Sequence, residues 1–266
     1  MAKLKVVIHG AAGRMGRRLI ALGSIDPDLQ IVGAVDAASH PDLGQDAGIL
    51  AGVRHLGVPL TSELPAELDV VIDFSVPHAA LDIANRCVQR NIPLVVATTG
   101  FEGEEKTAIR ELGAKIPMVW SPSMSLAVNL TMKLAGLAAK SLRDYPHGAD
   151  VEIIERHHRM KEDAPSGTAL RFGEIIAGEL GPGIQHVHGR SGRPGKRPHN
   201  EIGYHAVRTG DNPGEHTIVF GMMGETIELT VKASNRDCYA IGALTAAKFV
   251  AGKSPGIYGM ADVLNL

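Results

Sequence analysis

Short runs of β-branched and other apolar residues recur through the first part of the chain, at Lys5–His9, Gln30–Val35, Asp69–Phe74, Pro93–Ala97 and Pro117–Trp120. Between several of them the apolar positions switch to a helical period, over Arg14–Leu22, His78–Arg90 and Glu104–Lys115. In the second of these, Ala80, Ile83, Ala84, Cys87 and Val88 fall on one face. Near-continuous Val/Ile strands alternating with helices predict a parallel sheet covered on both sides, with right-handed crossovers. This half reads as a doubly wound, Rossmann-like α/β domain.

The pattern changes after Trp120. A helix is expected over about Ser125–Leu142, with Leu126, Leu130, Leu134, Leu137 and Ala138 along one side. A strand at Ala149–Glu155, a charged loop and a helix from Ser166 to Leu180 follow. Gly189–Asn200 (GRSGRPGKRPHN) has no apolar period and is expected to be a mobile loop or lid. Glu201–Arg208, Glu215–Phe220 and Thr226–Ser234 alternate at period two, as strands of an open-faced sheet do, and a last helix is expected at Cys238–Ala251. The expected organisation is a dinucleotide-binding domain, residues 1–125 plus 238–266, and an α+β domain with a mixed open-faced sheet, residues 126–237, for substrate binding and oligomerisation.

Composition narrows the function classes. A chain of 266 residues with 44% hydrophobic and 21% charged side chains is long enough for one large or two modest cores. A formal net charge of -2 argues against a nucleic-acid binder. No apolar run approaches the length of a membrane helix, and the apolar stretch near the N-terminus is too short for a signal peptide. Cys87 and Cys238 are too few for a disulfide framework. A cytoplasmic protein is expected, with no membrane and no nucleic-acid partner.

Gly10-Ala11-Ala12-Gly13-Arg14-Met15-Gly16 closes the first strand and opens the first helix. Glycines there allow a sharp turn that brings backbone N–H groups and a helix N-terminus against a pyrophosphate. Ala12 stands where the strict dinucleotide pattern has glycine; the competing reading is a helix start with small residues for packing alone. Asp36 ends the second strand, where an acid accepts from ribose hydroxyls and repels a 2′-phosphate. Ala37 follows it and no arginine comes before Arg54 in this stretch, so NADH is expected to serve at least as well as NADPH, with Arg14, Arg17 and Arg18 as other sources of charge. Ala97-Thr98-Thr99-Gly100 and Ser121-Pro122-Ser123-Met124 end the fourth and fifth strands, on the sheet edge where ligands bind; either segment could equally be an ordinary strand-to-helix turn.

Glu152 to Ala169 is the most informative stretch. Arg156, His157, His158, Arg159 and Lys161 crowd together after a strand, and Asp-Ala-Pro-Ser-Gly-Thr then reads as a helix entry. Pro165 suits a first turn, and Gly167 and Thr168 leave donors for an anion, most simply a carboxylate. A histidine four residues before a lysine, beside an anion cradle, suits reduction of an anionic unsaturated acid, with histidine relaying the proton. The cluster is also compatible with a solvated charged loop. No metal site is expected, because neighbouring histidines point apart and no further ligand completes a set.

These segments closely resemble the dihydrodipicolinate reductases of bacterial lysine and diaminopimelate synthesis. The likeness rests on Gly-Ala-Ala-Gly-Arg-Met-Gly, on Thr98-Thr-Gly-Phe101, and above all on Glu155-Arg-His-His-Arg-Met-Lys-Glu-Asp-Ala-Pro-Ser-Gly-Thr-Ala169. It continues through Arg208-Thr-Gly-Asp, Gly214-Glu-His-Thr-Ile-Val-Phe, Gly224-Glu and Ala233-Ser-Asn-Arg236. The resemblance implies reduction by NADH or NADPH of the cyclic imine formed from 4-hydroxy-tetrahydrodipicolinate, a small dicarboxylate. It implies His157 as proton donor, Lys161 as catalytic lysine, and His158, Gly167 and Thr168 as substrate contacts. Gly10, Ala11, Ala12, Gly13, Arg14, Met15, Asp36, Ala97, Thr98, Thr99, Ser121, Pro122, Ser123 and Met124 match its cofactor contacts. It further implies a homotetramer held by the second domain and domain closure, with residues 189–200 as a cover. The chain departs from common family members at Ser121-Pro-Ser123-Met, where Ala-Pro-Asn-Met is frequent, and at Ala37, Ala97 and Val231, where arginine, glycine and histidine are frequent. Two rival readings are a non-catalytic NAD(H) sensor and another nicotinamide oxidoreductase, such as a semialdehyde dehydrogenase; the latter needs an activated cysteine.

Overall fold

The computed structural model describes residues 2–146 and 148–266, and the chain divides into two compact units, Met1–Leu126 with Arg236–Leu266, and Ala127–Asn235. In the first unit, strands β1 (Leu4–His9), β2 (Leu29–Val35), β3 (Leu60–Thr61), β4 (Val70–Asp73), β5 (Leu94–Val96), β6 (Pro117–Trp120) and β12 (Gly256–Tyr258) form one sheet in the order β12-β6-β5-β4-β1-β2-β3. Every pairing in it is parallel. The doubly wound sheet expected from the sequence is present, and the short edge strands β3 and β12 lack the apolar run that would have announced them.

Alternation along the strands explains the two layers. Val6 and Ile8 of β1 and Val70 and Ile72 of β4 pack on one side, with α1 (Arg14–Gly23) and α7 (Asp237–Val250). Val7 and Val71 face the other side, with α3 (Pro77–Arg90) and α4 (Gly103–Gly113). Both faces are thus buried, the condition under which strands read as unbroken apolar runs. The short helices α2 (Ala47–Leu50) and α8 (Met260–Val263) complete the unit. Helix α7 is tied to the rest by Arg18, whose guanidinium donates twice to Asp237 at 2.7 and 2.8 Å.

The second unit holds β7 (Asp150–His157), β8 (Gln185–His188), β9 (Glu201–Arg208), β10 (Glu215–Gly221) and β11 (Thr226–Lys232), in the order β11-β10-β7-β9-β8. The sheet is mixed: β7–β9 and β8–β9 are parallel, β10–β7 and β10–β11 antiparallel. Val151, Ile153, Ile218 and Phe220 point to one face, where α5 (Leu126–Leu142) and α6 (Gly167–Leu180) cover them. The alternate residues, including Asp150, Glu152 and Ile154, lie on the uncovered face.

Two expectations are corrected here, and the leucine stripe of helix α5 proves to be its outer side. Helix α5 buries Val128, Met132, Ala135 and Ala139, whereas Leu130, Leu134 and Leu137 are exposed. Small residues let α5 lie close to its neighbours, and the larger leucines take the outer side. Strand β7 runs to His157, two residues beyond the expected end, because it stays paired with β9 as far as Arg208. The arginine-rich segment 189–200 is fastened in place rather than unattached. Arg190 donates to Glu152 and Glu201, and Arg197 to Asp150 and Glu152, at 2.6 to 3.2 Å. Asp150 and Glu152 lie on the sheet face opposite to His157, so those arginines anchor the segment to that uncovered face. Glu152 finds room because Gly203 lacks a Cβ, which would lie 1.8 Å from its carboxylate.

Candidate active site

In the first unit the glycine turn is shaped by close approach. Gly10 adopts φ +73°, and a Cβ there would stand 2.5 Å from the Phe74 carbonyl oxygen; a Cβ on Gly16 would stand 2.2 Å from the Gly10 oxygen. No residue larger than glycine fits either position without moving backbone. Gly13 caps α1 with no side-chain hydrogen bond, and the first turn carries no acid. Among the described residues the leading N–H groups of α1 therefore have no side-chain acceptor from their own cap or first turn, which is the donor set a pyrophosphate requires.

Two clefts open beside this turn. The larger, about 660 Å³, is lined by Gly10, Ala12, Gly13 and Asp36 together with His9, Phe74, Ser75 and Arg86. The smaller, about 250 Å³, is lined by Arg14, Met15, Ala97, Pro122, Ser123 and Met124, with Phe74, Arg236 and Tyr239. Ten of the fourteen expected cofactor residues thus face one cleft or the other. Ala11, Thr98 and Ser121 are buried, and Thr99 lines neither cleft. Ser121 holds its own turn, donating from Oγ to the Ser123 carbonyl at 2.9 Å. The Asp36 carboxylate accepts from the N–H groups of Ala12 and Ala37, both at 2.9 Å, and so ties the end of β2 to the turn. Dinucleotide chemistry fits this arrangement: uncapped N–H donors, a strand-end carboxylate and two adjoining clefts.

The second unit assembles its site around Glu155. This carboxylate is 1% exposed, and it accepts from His157 Nδ1 at 2.6 Å, from Arg208 Nη1 and Nη2 at 2.8 and 2.7 Å, and from the Ser166 N–H at 3.0 Å. Strand period explains the first contact, since Glu155 and His157 are two apart on β7 and share a face. Burial acts to raise the Glu155 carboxyl, but hydrogen bonds from Arg208, His157 and Ser166 outweigh it and hold it below the usual range.

A carboxylate only accepts, so it fixes the His157 proton on Nδ1 and leaves Nε2 as the exchanging nitrogen. That nitrogen lies over Gly214, where a Cβ would come within 2.9 Å of it. Burial lowers the His157 pKa, the Glu155 hydrogen bond and charge oppose this, and the charges of Lys161 and Arg208 add to the lowering. The ring stacks edge-on against His216 at 5.2 Å, and His216 Nε2 is 3.2 Å from Ser166 Oγ. Burial, reinforced by the charge of His157, pushes His216 down to about 4.

Lys161 Nζ sits 2.7 Å from Asp163. Ser166 caps α6 through Oγ and Ala169 N–H, which puts Gly167 and Thr168 in the first two helical positions, where N–H groups have no acceptor inside the helix. Pro165 precedes the cap rather than opening the helix, because Ser166 is already extended. His158 Nδ1 is buried with no hydrogen-bond partner among the described residues. The structure therefore gathers a carboxylate-bound histidine, a lysine and a helix start in one unit, an arrangement able to hold an anion and move a proton.

Sequence reasoning gave no role to Glu155, Ser166, Arg208, Gly214 or His216. Glu155 was readable from its spacing to His157 once β7 is extended. Arg208 and His216 lie on other strands, and no local signal joins them to His157. The cysteines are not activated: burial pushes the Cys87 thiol up to about 12 and raises that of Cys238.

Comparison with known proteins identifies the family. A model of the N-terminal part of dihydrodipicolinate reductase matches residues 4–124, and a model of its C-terminal part matches residues 127–264. A 4-hydroxy-tetrahydrodipicolinate reductase of Rhodopirellula baltica is 57% identical over 270 residues, covering 99% of this chain and 96% of that one. The enzyme of the same name from Burkholderia thailandensis is 46% identical over 271 residues, 100% of both chains. The solved structure of a dipicolinate-bound dihydrodipicolinate reductase from Paenisporosarcina sp. TG-14 superimposes with a TM-score of 0.77 at 25% identity, over 98% of each chain. An amine dehydrogenase from Mycobacterium smegmatis gives a TM-score of 0.63 at 14% identity over 97% of this chain and 95% of that one, a likeness of fold alone. With both parts matched and relatives this similar along their full length, the chain belongs to the dihydrodipicolinate reductase family.

Proposed function

We propose that the chain is a nicotinamide-dependent oxidoreductase that reduces the conjugated cyclic imine derived from 4-hydroxy-tetrahydrodipicolinate to tetrahydrodipicolinate, in the diaminopimelate route to lysine. The observation that carries the reading is the buried Glu155–His157 pair beside Lys161 and the start of α6. The dinucleotide, when bound, supplies a hydride. The chain supplies the rest. Lys161 and the first N–H groups of α6 hold substrate carboxylates. His157 is the proton donor: Glu155 anchors Nδ1 and directs the exchangeable proton to Nε2. His158, whose Nδ1 has no hydrogen-bond partner among the described residues, is a further substrate contact.

The glycine turn and Asp36 are the cofactor's pyrophosphate and ribose contacts, with the smaller cleft taking the nicotinamide end. NADH serves at least as well as NADPH. Arg18 is engaged with Asp237, Arg17 with the Ala12 carbonyl, and Arg86 with Glu63 and Asp82, so these cations already face acids or carbonyls. No helix among the described residues is long and apolar enough to cross a membrane. Cytoplasmic residence and a homotetramer joined through the uncovered sheet face of the second unit complete the reading.

The test is a coupled assay at 340 nm, with substrate made in place from pyruvate and aspartate semialdehyde by the preceding synthase. Substrate-dependent oxidation of NADH is expected. Bound but unconsumed NADH and NADPH would instead mark a nucleotide-binding relative without this chemistry.

A further inference from the structure

Beneath the larger cleft lies a second buried carboxylate. Asp73, the last residue of β4, is completely buried. Its Oδ1 is 2.7 Å from His9 Nδ1 and accepts from Ser75 Oγ at 2.6 Å, while Oδ2 accepts from Thr98 Oγ1 at 2.6 Å. His9 ends β1 and is paired in register with Asp73; Ser75 follows β4, and Thr98 follows β5. One side chain therefore joins the C-terminal ends of three adjacent parallel strands, the edge where ligands bind in such sheets.

What it holds still is the wall of the cofactor clefts. Thr98 Oγ1 also accepts from the Ser75 N–H at 3.1 Å, so Phe74 is fixed on both sides, and Phe74 lines both clefts. The Phe74 carbonyl is the group that Gly10 packs against, and the Phe74 N–H donates to the His9 carbonyl at 3.1 Å. A displacement of Phe74 is thereby passed to the glycine turn.

We propose that Asp73 is a positioning residue for the nicotinamide dinucleotide, acting through His9, Ser75 and Thr98 to hold Phe74 and the glycine turn in the binding arrangement; the inference rests on the nicotinamide-dependent reading above. Three donors converge on two carboxylate oxygens, and no neutral side chain of that size accepts all three. An amide has one acceptor oxygen and adds two donors.

The test uses the full chain. NADH affinity is measured by fluorescence titration, and steady-state KM for NADH and kcat by the coupled assay, for Asp73→Asn, Thr98→Val and Thr98→Ser. Asp73→Asn and Thr98→Val are expected to raise the NADH Kd and KM about tenfold or more, with kcat at saturating NADH within about threefold. Thr98→Ser, which keeps the hydroxyl, is expected to restore both. Should Asp73→Asn fail to fold, the Thr98 pair decides alone. Equal NADH Kd in Thr98→Val, Thr98→Ser and wild type, with only melting temperatures changed, would overturn the proposal. Wild-type protein that binds NADH but does not turn over substrate overturns the reductase reading instead, and leaves the Kd comparison standing.

Discussion

Replacing Glu155 by glutamine tests whether the buried carboxylate sets the ionisation of His157. The side chain keeps its size but loses its charge 2.6 Å from Nδ1. An opposite charge at such range favours the protonated ring by about 1.4–4 kcal/mol, so its loss lowers the protonated fraction above the pKa by about ten- to a thousandfold. The direction follows from the wild-type balance, in which Glu155 opposes the lowering caused by burial. Without it the His157 pKa falls further. A proton donor works in its protonated form, so activity falls as pH rises through that pKa; in Glu155→Gln the fall begins at lower pH. At pH 7–8 kcat is expected to drop about tenfold or more, with partial recovery on acidification.

The substitution also costs stability, because Arg208, 18% exposed, loses its bidentate partner. About 2–3 kcal/mol is expected, below the full cost of a fully buried pair since Arg208 reaches solvent. The assay is kcat against pH from 5 to 9 at saturating NADH, alongside denaturant melts. An alkaline limb at the wild-type pH, with only its height reduced, would refute the reasoning.

Three further outcomes are expected. His157→Gln should lower turnover about 10²–10⁴-fold while leaving the NADH Kd unchanged by titration, since His157 and the cofactor clefts belong to different units; wild-type turnover would sink its assigned role. Ala37→Arg should raise kcat/KM for NADPH relative to NADH by about tenfold, because it places a cation beside Asp36 at the larger cleft; an unchanged ratio would move the 2′ position elsewhere. His216 is held neutral to about pH 4, against an ordinary value of 6.5. The unfolded chain therefore binds the extra proton between these values, and stability falls as pH drops through this window, by about 3 kcal/mol. Urea melts at pH 7 and pH 4 should show that loss in wild type and less of it in His216→Gln; an equal loss would count against it.

Much of the molecule was legible along the chain. Strand and helix periods are local properties, so the doubly wound sheet, the glycine turn with Asp36 behind it, and the His-His…Lys…Ser-Gly-Thr segment could all be read without coordinates. The leucine stripe of helix α5 was legible as a period, but which stripe faces inward depends on what packs against it. Small Ala and Gly positions permitted the closer approach. The arginines of segment 189–200 looked free because the acids that anchor them, Asp150 and Glu152, lie about forty residues away on the uncovered face of β7. The same limit applied to both buried carboxylates. Glu155 needs Arg208 from β9 and the Ser166 N–H from α6; Asp73 needs His9 and Thr98 from the flanking strands. Sequence determined most of the strands and helices and which segments are candidates for the chemistry, because those depend on residues close in the chain. Only the tertiary structure decided which donors meet on each buried carboxylate, because strand order and register bring them together.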